Sequence, residues 1–240
     1  MAKQLNKDNL VMRATGAIPD KALENAKLDV PTITPPKIED GYELSKEEKD
    51  AFVALEPQAE KHFHPFLGAE EFINGKRRFC LWLGDCTPGE LHRMPMCLKR
   101  VEAVRNYRLA SSSAPTRKLA DRPTRFHVEN MPKGNYLVIP QVSSQRREYV
   151  PMGYLDDSVF CSDKLRLAPN TTLYHFGVLN SFVHMAWMRV VCCRLKSDYS
   201  YTINDVYNNF PWPEGVGAEC RTPRANFEAE IEKTAQGILD

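Results

Sequence analysis

The run LYHFGVLNSFVHMAWMRVVCC, from Leu173 to Cys193, limits the fold more than any other stretch of the chain. It is strongly apolar, yet it carries Asn180, Ser181, two His and Arg189. No apolar run reaches the roughly 18 uninterrupted residues that a membrane span needs, so this one must be covered by protein. Its spacing predicts a helix over about 172–192, capped by Asn170 or Thr171. Leu173, Phe176, Leu179, Val183, Trp187 and Val190 recur at a 3.6-residue period and form one face. Such a stripe requires a partner surface. The chain has 240 residues, 42% of them apolar and 26% charged, which is enough to build a sizeable core.

Residues 1–44 are polar and Pro-rich and read as an arm or linker. Ser45 with Glu48 forms a capping box that opens a helix, which Pro57 ends. A short helix over PQAEKHF follows, then a turn at Asn74-Gly75 and a strand through Phe79, Leu81 and Leu83. Pro88 to Ser112 is mainly helical. There Leu98, Val101, Val104 and Leu109 lie near one face, and Lys99, Arg100, Arg105 and Arg108 occupy the rest. Residues 135–168 alternate in the manner of a β meander. TPRANFEAEIEKTAQGILD reads as an amphipathic helix with Phe227, Ile231 and Ile238 on its apolar side. The fold class is α+β: a small antiparallel or mixed sheet core flanked by helices, with a C-terminal helical part.

The seven Cys, at 80, 86, 97, 161, 192, 193 and 220, are odd in number and contain no CxxC. They read as buried, reduced thiols of a cytoplasmic protein. The N-terminus lacks the apolar centre of a signal peptide. Gly-Val-Gly at 215–217 follows a Pro-rich turn rather than a strand, so it is not a nucleotide loop. NNFPW has its prolines in the wrong places for an amino-methyltransferase motif. No phosphate loop or nucleophile elbow is present, and His62, His64 and His92 lack partners at metal spacing. Catalytic and metal-binding residues are therefore expected to be none, and a binding module is the default.

The charge distribution is more specific. Net charge is only +1, yet Arg93 to Arg125 holds nine Lys or Arg against two acids, a local excess of seven. SSQRREY places hydroxyls beside Arg146 and Arg147, which suits phosphate contacts. In RLKSDYSY an extended chain would point Lys196, Asp198 and Ser200 one way. Lys donates to guanine O6 and N7, and Asp accepts from cytosine N4, so the two suit one G·C pair. Two rivals remain open at this level. One is a nuclease whose acids, Asp85 or Asp157 among them, assemble in space. The other is a scaffold that meets an acidic protein.

IPQVSSQRREYVPMGYL, TLYHFGVLNSFVHMAWMR and RLKSDYSYTINDVYNNFPWP resemble the target-recognition region of MmeI-like (type IIL) restriction–modification enzymes, which are adenine-specific DNA methyltransferases. FLGAEEFINGKRRFCLWL and LASSSAPTRKLADRPTRF resemble its N-terminal part, and the likeness runs collinearly over roughly 45–215. It implies sequence-specific recognition of double-stranded DNA in the major groove, non-catalytic by itself, within a bacterial cytoplasmic enzyme. It further implies a linker over 1–44 towards a methyltransferase domain, a recognition domain over 45–170, and a helical segment over 171–240 carrying a recognition strand. S-adenosylmethionine and Mg would belong to the methyltransferase and nuclease domains, with no cofactor in this chain. Three pairs of base-reading positions carry over. Lys196 with Asp198 implies G at the last position of the site, and Lys164 with Ser200 implies G two base pairs earlier. Gln141 with Asp163 is the third, where Gln replaces the Arg expected for G and suits adenine N6 and N7. Arg117, Lys118, Arg122, Arg146, Arg147 and Arg194 are the implied backbone contacts.

Overall fold

The computed structural model describes residues 42–127, 129, 131–213 and 224–239, with side chains of the last helix from residue 228 onward. Most of the expected arm, Cys220, Gly-Val-Gly at 215–217 and the side chain of Phe227 lie outside the described residues. In chain order the elements begin with β1 (Glu43–Ser45), α1 (Lys46–Leu55), β2 (Phe63–Leu67), α2 (Ala69–Asn74) and β3 (Arg78–Leu81). Then come α3 (Pro88–His92), α4 (Pro95–Leu109), α5 (Ala114–Lys118), β4 (Tyr136–Pro140), β5 (Val142–Ser143), β6 (Gly153–Leu155), β7 (Phe160–Cys161) and β8 (Leu165–Pro169). The last are α6 (Leu173–Leu179), α7 (Phe182–Val191), β9 (Cys193–Leu195), β10 (Asp198–Ser200) and α8 (Arg224–Leu239). The mixture of helices with small sheets is α+β, as expected.

The chain divides into two compact units. Among described residues the first holds 42–141 and Pro151–Asn170, and the second holds Val142–Val150 and everything from Thr171 onward. Val142–Val150 sits by sequence inside the 45–170 stretch. It belongs to the second unit because Val142 and Ser143 pair with Ser200 and Tyr199.

In the first unit, β1, β3, β2 and β7 form one sheet in that order, and β6, β4 and β8 form another. β7 joins β2 in parallel, while the other pairs are antiparallel. The expected meander is therefore incomplete: β5 leaves for the other unit and β7 joins a different sheet. β4 is also buried along its whole length instead of alternating. Tyr42 and Leu44, which the composition assigned to the arm, are buried in the main core with Phe52, Phe66, Leu81 and Val104. The expected turn at Asn74-Gly75 is present, and it follows a helix. It closes α2, with Gly75 at φ +64°, a conformation that needs no Cβ.

Both ends of α4 are tied by buried charged side chains. Its first residues have no side-chain cap of their own. Glu56, 5% exposed, accepts from the N–H of Met96 at 2.7 Å and of Cys97 at 3.1 Å. A carboxylate there satisfies orphan donors and suits the positive end of the helix. At the other end Arg108 is fully buried. Its guanidinium donates to the carbonyls of Leu119 (2.9 Å), Arg122 (3.0 Å) and Arg125 (2.7 Å). The buried face of α4 is thus Cys97, Val101, Val104 and Arg108: Val101 and Val104 lie inward as expected, Leu98 is half-buried, and Leu109 is exposed while Arg108 takes an inward place.

In the second unit the expected long helix is two helices, α6 and α7. Thr172, not Asn170 or Thr171, caps α6, and Ser181 caps α7 through the His184 N–H. The break resets the helical phase. His184, Met185 and Met188 face inward, and Val183 and Val190 are left exposed. α6 packs on α8 at Gly177, where a Cβ would come within 2.6 Å of the Ile231 side chain. Ile238, expected on the apolar side, is exposed. The thiols also differ from expectation. Cys80, Cys97 and Cys161 are buried, with burial pushing Cys161 up to about 12, whereas Cys193 is exposed. No described helix is long and apolar enough to cross a membrane.

Arg108→Met removes a buried guanidinium from three carbonyls. It is expected to lower unfolding stability by about 3 kcal/mol. The exposed neighbour change Arg105→Met should stay within about 0.5 kcal/mol. Urea titration of both proteins checks this.

Candidate nucleic-acid interface

RLKSDYSY is not one extended strand. Cys193–Leu195 and Asp198–Ser200 form an antiparallel hairpin, with Leu195 opposite Asp198 and Lys196-Ser197 as its two-residue tip. Lys196 therefore does not share a strand face with Asp198 and Ser200. It projects from the turn and is exposed, with its backbone at φ +56°. A side chain in that region costs roughly 1 kcal/mol relative to Gly. Asp198 and Ser200 remain on one face and are half-buried. Between them Tyr199 points the other way and is buried.

Arg194 lies directly across the hairpin from Tyr199. Its guanidinium stacks 4.2 Å from the Tyr199 ring centre and donates to the Ser197 carbonyl at 3.1 Å. Expected as a phosphate contact, it also closes the hairpin that presents Lys196. The opposition of Arg194 and Tyr199 follows from a two-residue turn, so it becomes visible only once that turn is known.

The third strand of this sheet is β5, paired to β10. Beyond it, Ser144 to Arg147 close a turn, with the Arg147 N–H donating to the Ser144 carbonyl at 3.0 Å and the Arg146 N–H to Ser144 Oγ at 3.3 Å. The Gln145 N–H donates to Asp198 Oδ1 at 3.2 Å. Nothing in the amino-acid pattern signals that contact. The far end of the segment is held from α7: Arg189 donates to the Glu148 carbonyl, and the Val150 N–H meets Met185 Sδ at 3.4 Å. The Arg146 and Arg147 residues are exposed, and their guanidinium groups make no hydrogen bond or ion pair among the described residues.

The chain following the hairpin forms an aromatic block with α6 and α7. Tyr201, Tyr207, Phe210 and Trp212 are each at most 4% exposed. His184 is fully buried, with Nε2 3.0 Å from the Tyr201 hydroxyl and its ring 4.4 Å from that of Phe210. Burial pushes its imidazole down to about 3. NDVYNNFPWP thus acts as the anchor that the bulk of its aromatics predicts.

The first unit holds the other three base-reading candidates together. The Gln141 N–H donates to the Lys164 carbonyl at 2.8 Å, extending the β4–β8 pairing. Lys164 Nζ meets Asp163 Oδ2 at 3.0 Å, an exposed pair worth little in water. Arg166 donates to the Asp163 carbonyl at 2.9 Å and fixes that loop. Gln141 and Asp163 are therefore neighbours. Lys164 and Ser200, which the resemblance couples, lie in different units, and the ion partner of Lys164 is Asp163.

The basic stretch is less free than its count suggests. Arg108 is buried, Arg125 pairs with Glu129 at 2.6 Å, and Arg100 sits over the Phe52 ring. Arg117 donates to the Ser111 and Ser112 carbonyls, both at 2.8 Å, and is otherwise exposed. Lys99, Arg105, Lys118 and Arg122 are exposed. Both acids of the nuclease alternative have structural partners: Asp85 accepts from the Trp82 indole at 2.7 Å and Asp157 from the Gly134 N–H at 2.9 Å. Among the described residues no three His, Cys, Asp or Glu form a group able to hold a metal ion.

Comparison with known proteins bears on this geometry. Residues 31–214 match the family model described as the MmeI target recognition domain. DNA methyltransferase A of Bacillus subtilis (strain 168) is 35% identical over 184 residues, which is 77% of this chain and 20% of that protein. The type IIL restriction–modification enzyme MmeI, solved in complex with DNA, superposes with a TM-score of 0.80 at 36% identity, over 88% of this chain and 28% of that one. The type IIG restriction endonuclease BpuSI shares the fold at 10% identity, with a TM-score of 0.52. The chain therefore spans about a fifth to three-tenths of the relatives it matches.

Two outcomes follow from the hairpin and its support. Lys196→Gly relieves the positive φ and should raise stability by about 1 kcal/mol in thermal unfolding. His184 stays neutral in the fold, so below its ordinary value of 6.5 only the unfolded chain takes up a proton there. Its contribution is complete above that value and is lost as pH falls towards about 3. Stability should drop by about 2 kcal/mol from about pH 6.5 to about pH 5. His184→Phe should flatten that slope in denaturant titrations across the range.

Proposed function

The chain belongs to the MmeI target recognition domain family, and from that premise we propose that it reads a short double-stranded DNA sequence for a DNA adenine-N6 methyltransferase of the restriction–modification type. It is non-catalytic by itself. The observation that carries this reading is the hairpin tip, where an exposed ammonium and a carboxylate stand two residues apart on a sheet backed by buried aromatics. A donor and an acceptor held that way suit the edges of one G·C pair in the major groove. Asp163 and Gln141 offer a second acceptor and an amide, with Lys164 and Ser200 as further readers. Lys164 becomes available when its exposed ion pair opens, a small cost.

Backbone contacts fall to Arg117, Lys118, Arg122, Arg146 and Arg147, whose side chains are all exposed. Such contacts fix register and supply salt-dependent affinity without reading sequence. Arg194 keeps donors to spare after stacking on Tyr199 and serves in both ways. S-adenosylmethionine and Mg belong, on this reading, to the methyltransferase and nuclease parts of a longer enzyme in the bacterial cytoplasm. The MmeI structure was solved with DNA, which supports the same kind of partner here.

The test is selection of bound duplexes from a randomised library, with affinity measured across salt. Lys196→Glu combined with Asp198→Arg should change the preferred last base pair while binding is retained. Arg146→Ala should leave the preferred sequence alone and reduce the log–log salt slope by about 0.9. A preferred sequence untouched by the double exchange would remove the assignment of that pair. Binding of an acidic protein with no affinity for DNA would replace the whole reading.

A further inference from the structure

Asp198 is the only base-reading candidate of the hairpin whose carboxylate is held by a segment distant in sequence. Its Oδ1 accepts from the Gln145 N–H at 3.2 Å, across 53 positions of chain. We propose that the backbone amide of Gln145 is the positioning donor for Asp198, so that the turn at 144–147 sets how Asp198 reads its base pair. The inference rests on the reading of Asp198 as a base contact and adds a second chain segment to it.

Three features make the amide a fixed donor. β5 is in register with β10, Ser143 opposite Tyr199 and Val142 opposite Ser200, so the turn emerges beside Asp198. The turn is closed on Ser144 by the Arg146 and Arg147 N–H groups. Its outgoing segment is clamped at Glu148 by Arg189 and at Val150 by Met185. An amide held at both ends restricts the carboxylate to the rotamer that reaches it. With Oδ1 committed, Oδ2 is left as the acceptor, and a cytosine N4 presents the donor it needs. The same turn carries Arg146 and Arg147, both exposed. One short segment therefore ties a phosphate-facing element to a base-facing carboxylate.

The backbone at 145 permits a clean test. Positive φ among described non-glycine residues occurs only at Asn170 and Lys196, so Gln145 sits at negative φ. Proline is favoured at the second position of such a turn and lacks an N–H. Duplex selection with the 240-residue chain compares Gln145→Pro, Gln145→Ala and Asp198→Ala. Gln145→Pro should lose about tenfold of the preference at the one base pair that Asp198→Ala disturbs. It should keep the salt slope, since Arg146 and Arg147 remain. Gln145→Ala retains the N–H and should rescue the preference.

The outcomes separate cleanly. A chain with no preferred sequence, or an Asp198→Ala protein with its preference intact, overturns the reading on which the proposal rests. Loss with Asp198→Ala but not with Gln145→Pro overturns the proposal alone. Equal loss with Gln145→Ala and Gln145→Pro assigns the effect to the side chain and overturns the backbone role. Amide exchange at Gln145 gives a readout independent of Pro. Protection should be lost in Asp198→Ala and kept in Asp198→Asn, which still accepts; equal protection in both overturns the contact.

Discussion

Arg108 is the residue on which the first unit turns. A guanidinium with no exposed surface is costly to bury unless its donors are used, and three of its partners are the carbonyls of Leu119, Arg122 and Arg125. Those carbonyls belong to the stretch from the end of α5 to Arg125, where short turns, closed by Arg122 N–H on the Leu119 carbonyl and Arg125 N–H on the Arg122 carbonyl, replace regular pairing. One side chain from α4 thus ties down the segment that begins at the end of α5, where Arg117 and Lys118 stand, and continues through Arg122. The charge count of the stretch includes Arg108, but its physical part is the opposite of a phosphate contact. It holds still the cations that remain in solvent.

The second unit solves a similar problem with aromatic bulk. A two-residue hairpin tip has few contacts of its own, and isolated hairpins are marginal in water. Tyr199 points inward from the strand and is covered by Arg194, while Tyr201, Phe210 and Trp212 fill the space around His184. The rigid element is buried and the varied chemistry sits on its edge. A site on a loop gains precision when its supports are packed in this way.

Much of this was legible in the residues. The Ser45–Glu48 box, the helices around α4 and α8, and the anchoring part of NDVYNNFPWP follow from capping, periodicity and bulk. What the pattern misjudged has identifiable physical causes. Periodicity over 172–192 runs through Asn180-Ser181, and only the cap at Ser181 shows that the helix restarts. Apolarity put Leu109 inside and Arg108 outside, because a hydropathy scale cannot foresee three carbonyls converging on a guanidinium. Strand alternation treated Lys196 as an extended residue, whereas its positive φ belongs to a turn whose sequence, Lys-Ser, lacks the usual Gly or Asn. The Gln145–Asp198 contact was invisible for a different reason: a backbone N–H carries no side-chain signature.

These features also bear on how such a surface changes its reading without losing its fold. Lys196 and Lys164 are exposed, and Asp163 is engaged mainly through an exposed ion pair and its own carbonyl. Apart from the positive φ that glycine would relieve at 196, substitutions at positions like these stay within about 0.5 kcal/mol of neutral, a small part of the total stability of a domain this size. Tyr201, Phe210 and His184 have no such freedom, since they are packed and, for His184 and Tyr201, hydrogen-bonded to each other. Asp198 falls between the two groups. Its carboxylate faces solvent on one side and the Gln145 amide on the other. A replacement there alters the contact to Gln145 and, on the proposed reading, the contact to the base as well. On this physical ground, residue 198 is expected to vary together with the turn at 144–147, whereas residue 196 is bound to the rest of the hairpin only by its backbone.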